Sequence, residues 1–136
     1  MNIFDVIIVG GGPAGSIAGY TLARNGVKVL ILDQTHFPRR KVCGGGLTLQ
    51  AQKEIPFDIS NVIHQEVASG NIGFGGRAIK TISDDTPIAF MIDRITFDSL
   101  LLKKAVEQGA TTRLGQRVKA VSEQDDLIQV QTNQET

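Results

Sequence analysis

The stretch Gly10-Gly11-Gly12-Pro13-Ala14-Gly15 fits the spacing G-x-G-x-x-G. Each glycine of that spacing has a physical task. The first permits a tight exit from a strand, the second lets backbone approach a pyrophosphate, and the third lets a helix pack close on a sheet. Amides at the start of that helix are free to meet phosphate oxygens, and the helix dipole favours negative charge there. Asp33 stands 18 residues after Gly15, at the end of a second apolar run. A carboxylate in that place accepts hydrogen bonds from a ribose 2′-hydroxyl and repels a 2′-phosphate. Together these residues read as a site for the diphosphate and ribose of a dinucleotide.

The elements that must position them are legible around them. Residues Ile3 to Val9 are rich in Ile and Val and read as a fully buried parallel strand. From Ala14, the positions Ala14, Ile17, Ala18, Thr21 and Leu22 recur at helical spacing, with Pro13 suited to the first position and Gly26 to the stop. Val27 to Leu32 is a second strand-like run, closed by Asp33. Strand, glycine turn, helix and strand make one βαβ unit. Gln34 to Gly46 is a polar and then Gly-rich loop, followed by a short helix at Thr48 to Glu54. Between Val62 and Ile92, short β-like segments broken by Gly, Ser-Asp-Asp and Pro predict an antiparallel meander. Asp93 or Thr96 is placed to cap a helix through Gln108, with Phe97, Leu100, Leu101 and Ala105 inward and Gly109 as its stop. Thr111 to Thr132 reads as short strands broken at Gln124-Asp125-Asp126.

The predicted fold class is α/β: a Rossmann-like βαβ unit with an inserted antiparallel β-meander, incomplete because no second crossover helix follows the last strands. The expectation is a single domain over 1–136, with about 62–92 belonging to a substrate-side sheet, and a chain cut from a longer protein. Self-association of such a piece through its uncovered sheet is a further expectation.

Composition narrows the function classes. The chain has 136 residues, with 14 Lys and Arg against 14 Asp and Glu, so its formal net charge is zero. Nucleic-acid binders and polybasic membrane-surface proteins depend on excess positive charge, which this chain lacks. One cysteine excludes an internal disulfide framework and a Cys-rich zinc site. No apolar run approaches the roughly 20 residues of a spanning helix, and the start Met1-Asn2-Ile3-Phe4-Asp5 has no basic leader. The expected location is cytoplasmic, with association to a membrane left open. No metal site is expected: Asp84-Asp85 and Asp125-Asp126 read as turn residues, and His36 and His64 have no partner cluster. Arg39-Arg40-Lys41 reads as a solvated basic turn for any one member, although collectively the three suit a phosphate or an anionic headgroup. Phe74 and Phe90 read as core, although an apolar substrate would also suit them.

Three segments carry a family resemblance. Asp5 to Gly15 resembles the start of flavoproteins with the para-hydroxybenzoate hydroxylase fold. Phe37-Pro38-Arg39-Arg40-Lys41-Val42-Cys43-Gly44-Gly45-Gly46-Leu47 is similar to a loop of the geranylgeranyl reductase family within that superfamily. Asp93-Arg94-Ile95-Thr96-Phe97-Asp98, followed by Leu101, Ala105 and Gly109-Ala110, is similar to that family's R-x-x-F-D…L…A…G-A segment. The resemblance implies FAD as cofactor, a prenyl substrate whose double bond is reduced by hydride from reduced flavin, and NAD(P)H or a ferredoxin-like electron donor. It implies that Gly10, Gly12, Pro13, Ala14 and Gly15 hold the FAD pyrophosphate and that Asp33 holds the adenosine ribose. Cys43, Gly44, Gly45 and Gly46 would line the flavin side, with Cys43, Gly44 and Gly45 nearest the chemistry. Arg94 would meet the phosphate–ribityl region, and Val118 the adenine through its backbone. The family's second signature, a Gly-Asp dipeptide, does not occur in this sequence, so the resemblance implies an enzyme in the full-length parent and a fragment that is inactive by itself. Two alternatives stay open: a monooxygenase or halogenase of the same superfamily, and a nucleotide-binding fragment without catalysis of its own.

Overall fold

A computed structural model describes residues 3–134, apart from the side chains of residues 78 and 79. Met1, Asn2, Glu135 and Thr136, which the sequence reading took as leaderless start and trailing end, lie outside the described residues. In chain order the elements are β1 (Val6–Val9), α1 (Pro13–Arg24), β2 (Val29–Asp33), β3 (Gly46–Thr48), α2 (Leu49–Lys53), a 3-10 turn (Ser60–Val62), β4 (Ile63–Val67), β5 (Ser69–Phe74), β6 (Arg77–Ser83), β7 (Ala89–Ile92), α3 (Arg94–Glu107), β8 (Thr111–Leu114), β9 (Val118–Gln124) and β10 (Leu127–Thr132). They form two compact units, one of residues 1–39 with 98–136 and one of residues 40–97.

The first unit is built on a parallel sheet of order β1-β2-β8. Its central strand, Val29-Leu30-Ile31-Leu32-Asp33, is buried at every position, as expected for a parallel strand covered on both faces. β1 is an edge strand and is not fully buried as the apolar run predicts; Val9 is 60% exposed. The small-residue face of α1 read from Ala14, Ile17, Ala18, Thr21 and Leu22 is not the buried one. The buried positions are Ser16, Gly19, Tyr20 and Ala23, one step round from Ile17 and Leu22. Small residues win that face because the helix lies very close to β2: a Cβ on Gly19 would fall 2.5 Å from Ile31 Cδ1. From Asp98 onward α3 belongs to this unit and buries Leu101, Leu102 and Ala105. Gly109 ends it at φ 105°, the left-handed conformation that suits glycine after a helix. β9 and β10 form an antiparallel hairpin whose two-residue loop is Asp125-Asp126, at φ 52° and 60°.

The second unit is antiparallel, as predicted, but begins at residue 40 rather than near 62. Its sheet has the order β3-β7-β4, and β5–β6 forms a separate hairpin. The strands are therefore not wired in the sequential order of a meander: β4 and β3 both pair with β7, and β5–β6 is an excursion between β4 and β7. The sheet-side core contains Ile59, Val62, Phe90 and Ile92. Phe90 is core as expected, whereas Phe74 is 83% exposed near the end of the β5–β6 hairpin. Thr48 caps α2 by accepting from the Ala51 amide, 3.2 Å. Asp93 caps α3 by accepting from the Thr96 amide, 3.1 Å.

Candidate functional site

The glycine loop turns directly out of β1. Gly10 adopts φ 109° and donates its amide to the Leu32 carbonyl at 2.7 Å, which keeps the loop tied to the central strand. Gly11 is buried and donates to Asp33 Oδ2 at 2.8 Å. Ser16, fully buried on α1, donates its hydroxyl to the Gly11 carbonyl at 2.9 Å. A Cβ on Gly15 would overlap the Gly10 carbonyl oxygen, so only glycine lets the helix start this close to the strand end. Gly12 is the N-cap of α1 and makes no side-chain cap, Pro13 occupies the first turn, and that turn carries no acid. The amide end of α1 is thus left for an acceptor from outside the helix, and nothing in its first turn repels an anion.

Asp33 sits where the sequence placed it, at the end of β2, but its carboxylate is largely engaged by the protein. Oδ2 accepts from Gly11, and Oδ1 accepts from the Thr35 amide at 2.8 Å and the Thr35 hydroxyl at 2.6 Å. A carboxylate offers about four acceptor positions, so room remains for about one further donor. Burial pushes the Asp33 carboxyl up, but the Thr35 hydroxyl and amide, the Gly11 amide and the nearby Arg39 charge outweigh it and hold it below the usual carboxylate range. Asp33 is accordingly an anion that fixes the glycine loop as well as a candidate ribose ligand. Ser16 and Thr35 were not singled out from the sequence. The Asp33-x-Thr35 spacing, a side chain accepting from the amide two residues on, is the signal that points to Thr35.

Arg39 corrects the reading of the basic triplet. Arg40 and Lys41 are exposed, but the Arg39 side chain is only 14% exposed and pairs with the fully buried Asp98 carboxylate, Nη2 to Oδ2 3.2 Å. The guanidinium lies over the Phe37 ring, 5.0 Å from its centroid.

The other sequence candidates fall as follows. Cys43, Gly44 and Gly46 are exposed in the second unit, where Cys43 Sγ accepts from the Gly45 amide at 3.5 Å. Gly45 is buried at φ 76°, and a Cβ there would fall 2.5 Å from the Ile92 carbonyl oxygen, so this glycine is required by the turn itself. Arg94 is half-buried at the start of α3, in the second unit. Val118 opens β9 in the first unit, paired with Thr132. A cavity of about 930 Å³ on the first unit lies elsewhere: β1, β2 and the β9–β10 hairpin line it, with Val6, Leu30, Leu32, Val121 and Ile128 among its apolar walls. Neither Asp33 nor any residue of Gly10–Gly15 lines it. Among the described residues no group of three or more His, Cys, Asp or Glu is arranged to hold a metal, and no helix is long and apolar enough to cross a membrane.

Comparison with known proteins gives this geometry a family. The FAD dependent oxidoreductase family matches residues 5–136. An uncharacterised protein of Methanosarcina barkeri is 37% identical over 135 residues, which is 99% of this chain and 35% of that protein. The menaquinone reductase of Mycobacterium tuberculosis is 34% identical over 129 residues, 86% of this chain and 30% of the enzyme. The geranylgeranyl diphosphate reductase of Rhodobacter capsulatus is 31% identical over 112 residues, 82% of this chain and 28% of the enzyme. The chain therefore spans about a third of the length of the curated relatives it matches. In fold it is similar to a geranylgeranyl bacteriochlorophyll reductase-like protein of Thermoplasma acidophilum, with a TM-score of 0.82 and 24% identity over 97% of this chain and 36% of that one. A variant of the halogenase PltM in complex with FAD shares the fold at a TM-score of 0.76 and 24% identity, over 99% of this chain and 32% of that one.

Proposed function

Because the chain belongs to the FAD dependent oxidoreductase family, we propose that it is the N-terminal, FAD-binding part of a flavoprotein that reduces isoprenoid double bonds. One observation carries the FAD half of the reading. The loop Gly10–Gly15 delivers an uncapped, acid-free helix start beside a carboxylate anchored to the loop's own backbone. A flavin dinucleotide asks for both features, an anion site and an acceptor for a ribose. The isoprenoid half rests on similarity to enzymes such as the geranylgeranyl diphosphate reductase of Rhodobacter capsulatus.

In this reading Gly10, Gly12, Pro13, Ala14 and Gly15 hold the diphosphate, with the amides of Ala14 and Gly15 as donors and Gly12 leaving room for close approach. Asp33 uses its remaining acceptor position on the adenosine ribose, and Val118 offers backbone to the adenine. Cys43, Gly44, Gly45 and Gly46 form the flavin-side loop, where small residues admit a flat ring, and Arg94 supplies a guanidinium to the phosphate–ribityl region. FAD, when bound, supplies hydride transfer to an alkene carbon; the chain's own residues bind, orient and exclude water. Electrons come from NAD(P)H or a ferredoxin-like donor, and residues 62–92 belong to the substrate side. A halogenase or monooxygenase reading is supported by the shared fold with PltM, and activity of the full-length protein on prenyl against aromatic substrates separates the two.

The direct test is to purify the chain, record absorption from about 350 to 500 nm, and titrate the apo form with FAD and, as control, NAD. Binding of about one FAD per chain is expected. Preference for NAD over FAD would overturn the reading.

A further inference from the structure

Arg39 has an arrangement that a turn residue does not need. Its side chain is mostly buried, one guanidinium nitrogen pairs with Asp98 Oδ2, and the plane rests over Phe37. Its Nε is buried and has no hydrogen-bond partner among the described residues. The group faces the glycine loop: a Cβ on Gly12 would fall 3.3 Å from Arg39 Nη2. Its charge also reaches Asp33, where it contributes to holding that carboxyl down. All of these residues belong to the first unit.

A buried ion pair is a poor source of stability, because desolvation offsets most of the attraction. An arginine kept only for packing would also be expected to satisfy its donors. Here Nε is left over, and the Nη2 end of the guanidinium stands beside Gly12, the cap of α1, whose first turn has neither an acid nor a capping side chain. A diphosphate carries two negative charges, and helix amides supply only a partial positive charge in return. A guanidinium fork held rigid from behind by Asp98 supplies the rest, with donors already oriented for phosphate oxygens.

We propose that Arg39 is a diphosphate-binding residue of the dinucleotide site, aimed across Gly12 at the start of α1, and that Asp98 and Phe37 are its positioning residues. This rests on the FAD reading. It also separates Arg39 from its neighbours in the basic triplet: Arg40 and Lys41 have no part in the contact.

The test compares the unaltered chain with Arg39→Gln and with a double variant, Arg39→Gln with Asp98→Asn, which removes both charges of the pair and leaves no orphaned carboxylate. Affinities for FAD, ADP and riboflavin are measured by flavin fluorescence or calorimetry, and melting temperatures are recorded without ligand. Losing charge-assisted bonds to phosphate is expected to weaken FAD and ADP by about 10- to 100-fold in both variants. Riboflavin, which has no phosphate, keeps its affinity, and the double variant melts within a few degrees of the unaltered chain. Arg40→Gln serves as a control and changes FAD affinity less than about twofold, as an exposed charge should. Unchanged FAD and ADP affinity in folded variants would overturn the Arg39 assignment and leave the FAD reading standing. Loss of fold in the double variant would make the pair structural and overturn it too. Failure of the unaltered chain to bind either FAD or ADP would overturn both readings.

Discussion

Gly19 offers a sharp check on how α1 and β2 fit together. A Cβ at this position would lie 2.5 Å from Ile31 Cδ1 and 3.2 Å from Ile31 Cγ1, against about 3.4 Å for ordinary contact. Gly19→Ala is therefore short of space by about 0.9 Å at one methyl and by 0.2 Å at the next atom. Ile31 is fully buried in the central strand and β-branched, so its side chain has little freedom to swing aside. Overpacking of this kind costs about 1–3 kcal/mol, while alanine in place of glycine mid-helix contributes about 1 kcal/mol in the other direction. The net for Gly19→Ala is a loss of about 1 kcal/mol. Ile31→Val alone, which deletes the offending methyl, costs about 1 kcal/mol as a small cavity. In the double variant the overlap is gone, and the helix gain of about 1 kcal/mol offsets the cost of the methyl removed from Ile31, so the net falls to about zero. Urea unfolding followed by far-UV circular dichroism reads all four proteins, with a favourable coupling of about 2 kcal/mol expected between the two sites. Additive single-variant effects, or a Gly19→Ala chain more stable than the parent, would refute the close-packing account of the glycine.

Two further outcomes follow from the anchoring of the loop and the shape of the last hairpin. Asp33→Asn is expected to lose about 1.5–3 kcal/mol at neutral pH, the worth of hydrogen bonds to a charged group. Because the folded-state carboxyl is held below its ordinary value, that contribution is complete above about pH 4 and fades as pH falls through the folded value, so the gap between variant and parent closes in acid; a gap that stays constant to pH 2.5 in denaturant titrations would contradict it. Asp126→Gly relieves a non-glycine residue at φ 60° in a two-residue loop, and a gain of about 0.5–1 kcal/mol is expected because glycine is favoured at that position; a lower melting temperature would show that the Asp126 side chain contributes more than the backbone conformation costs.

The parts of the fold that sequence made legible are those where one short window carries the physics. The Ile- and Val-rich runs flanking Gly10–Gly15, Pro13 at the head of α1 and Asp125-Asp126 between the last strands are local signals, and each element formed where they stand. The spacing in α1 shows that small residues recur, but not which of them face the sheet. Ile17 and Leu22 dominate a hydrophobic pattern, yet Ser16 and Gly19 are buried because small residues let the helix approach β2. Pairings between distant segments were not legible: β7 lies between β3 and β4, and no local pattern reports this. The same holds for charge. Arg39 looks like Arg40 and Lys41 in a sequence, and only the fold brings Asp98 to it. Phe74 shows the converse, an aromatic residue between Gly73 and Gly75 that the hairpin leaves in the open.

The Arg39–Asp98 contact has a consequence for how the chain tolerates change. These two residues are the last of the first segment and the first of the returning segment of one unit, with the whole of residues 40–97 strung between them. The ion pair is thus a clasp at the neck of a large excursion. Closing a loop costs entropy that grows only with the logarithm of its length, so once the clasp is set, lengthening or replacing what lies beyond it adds little to the free energy of the parent unit. A change of length within residues 40–97 is accordingly expected to cost the nucleotide-binding frame little, because its two segments already meet at Arg39 and Asp98.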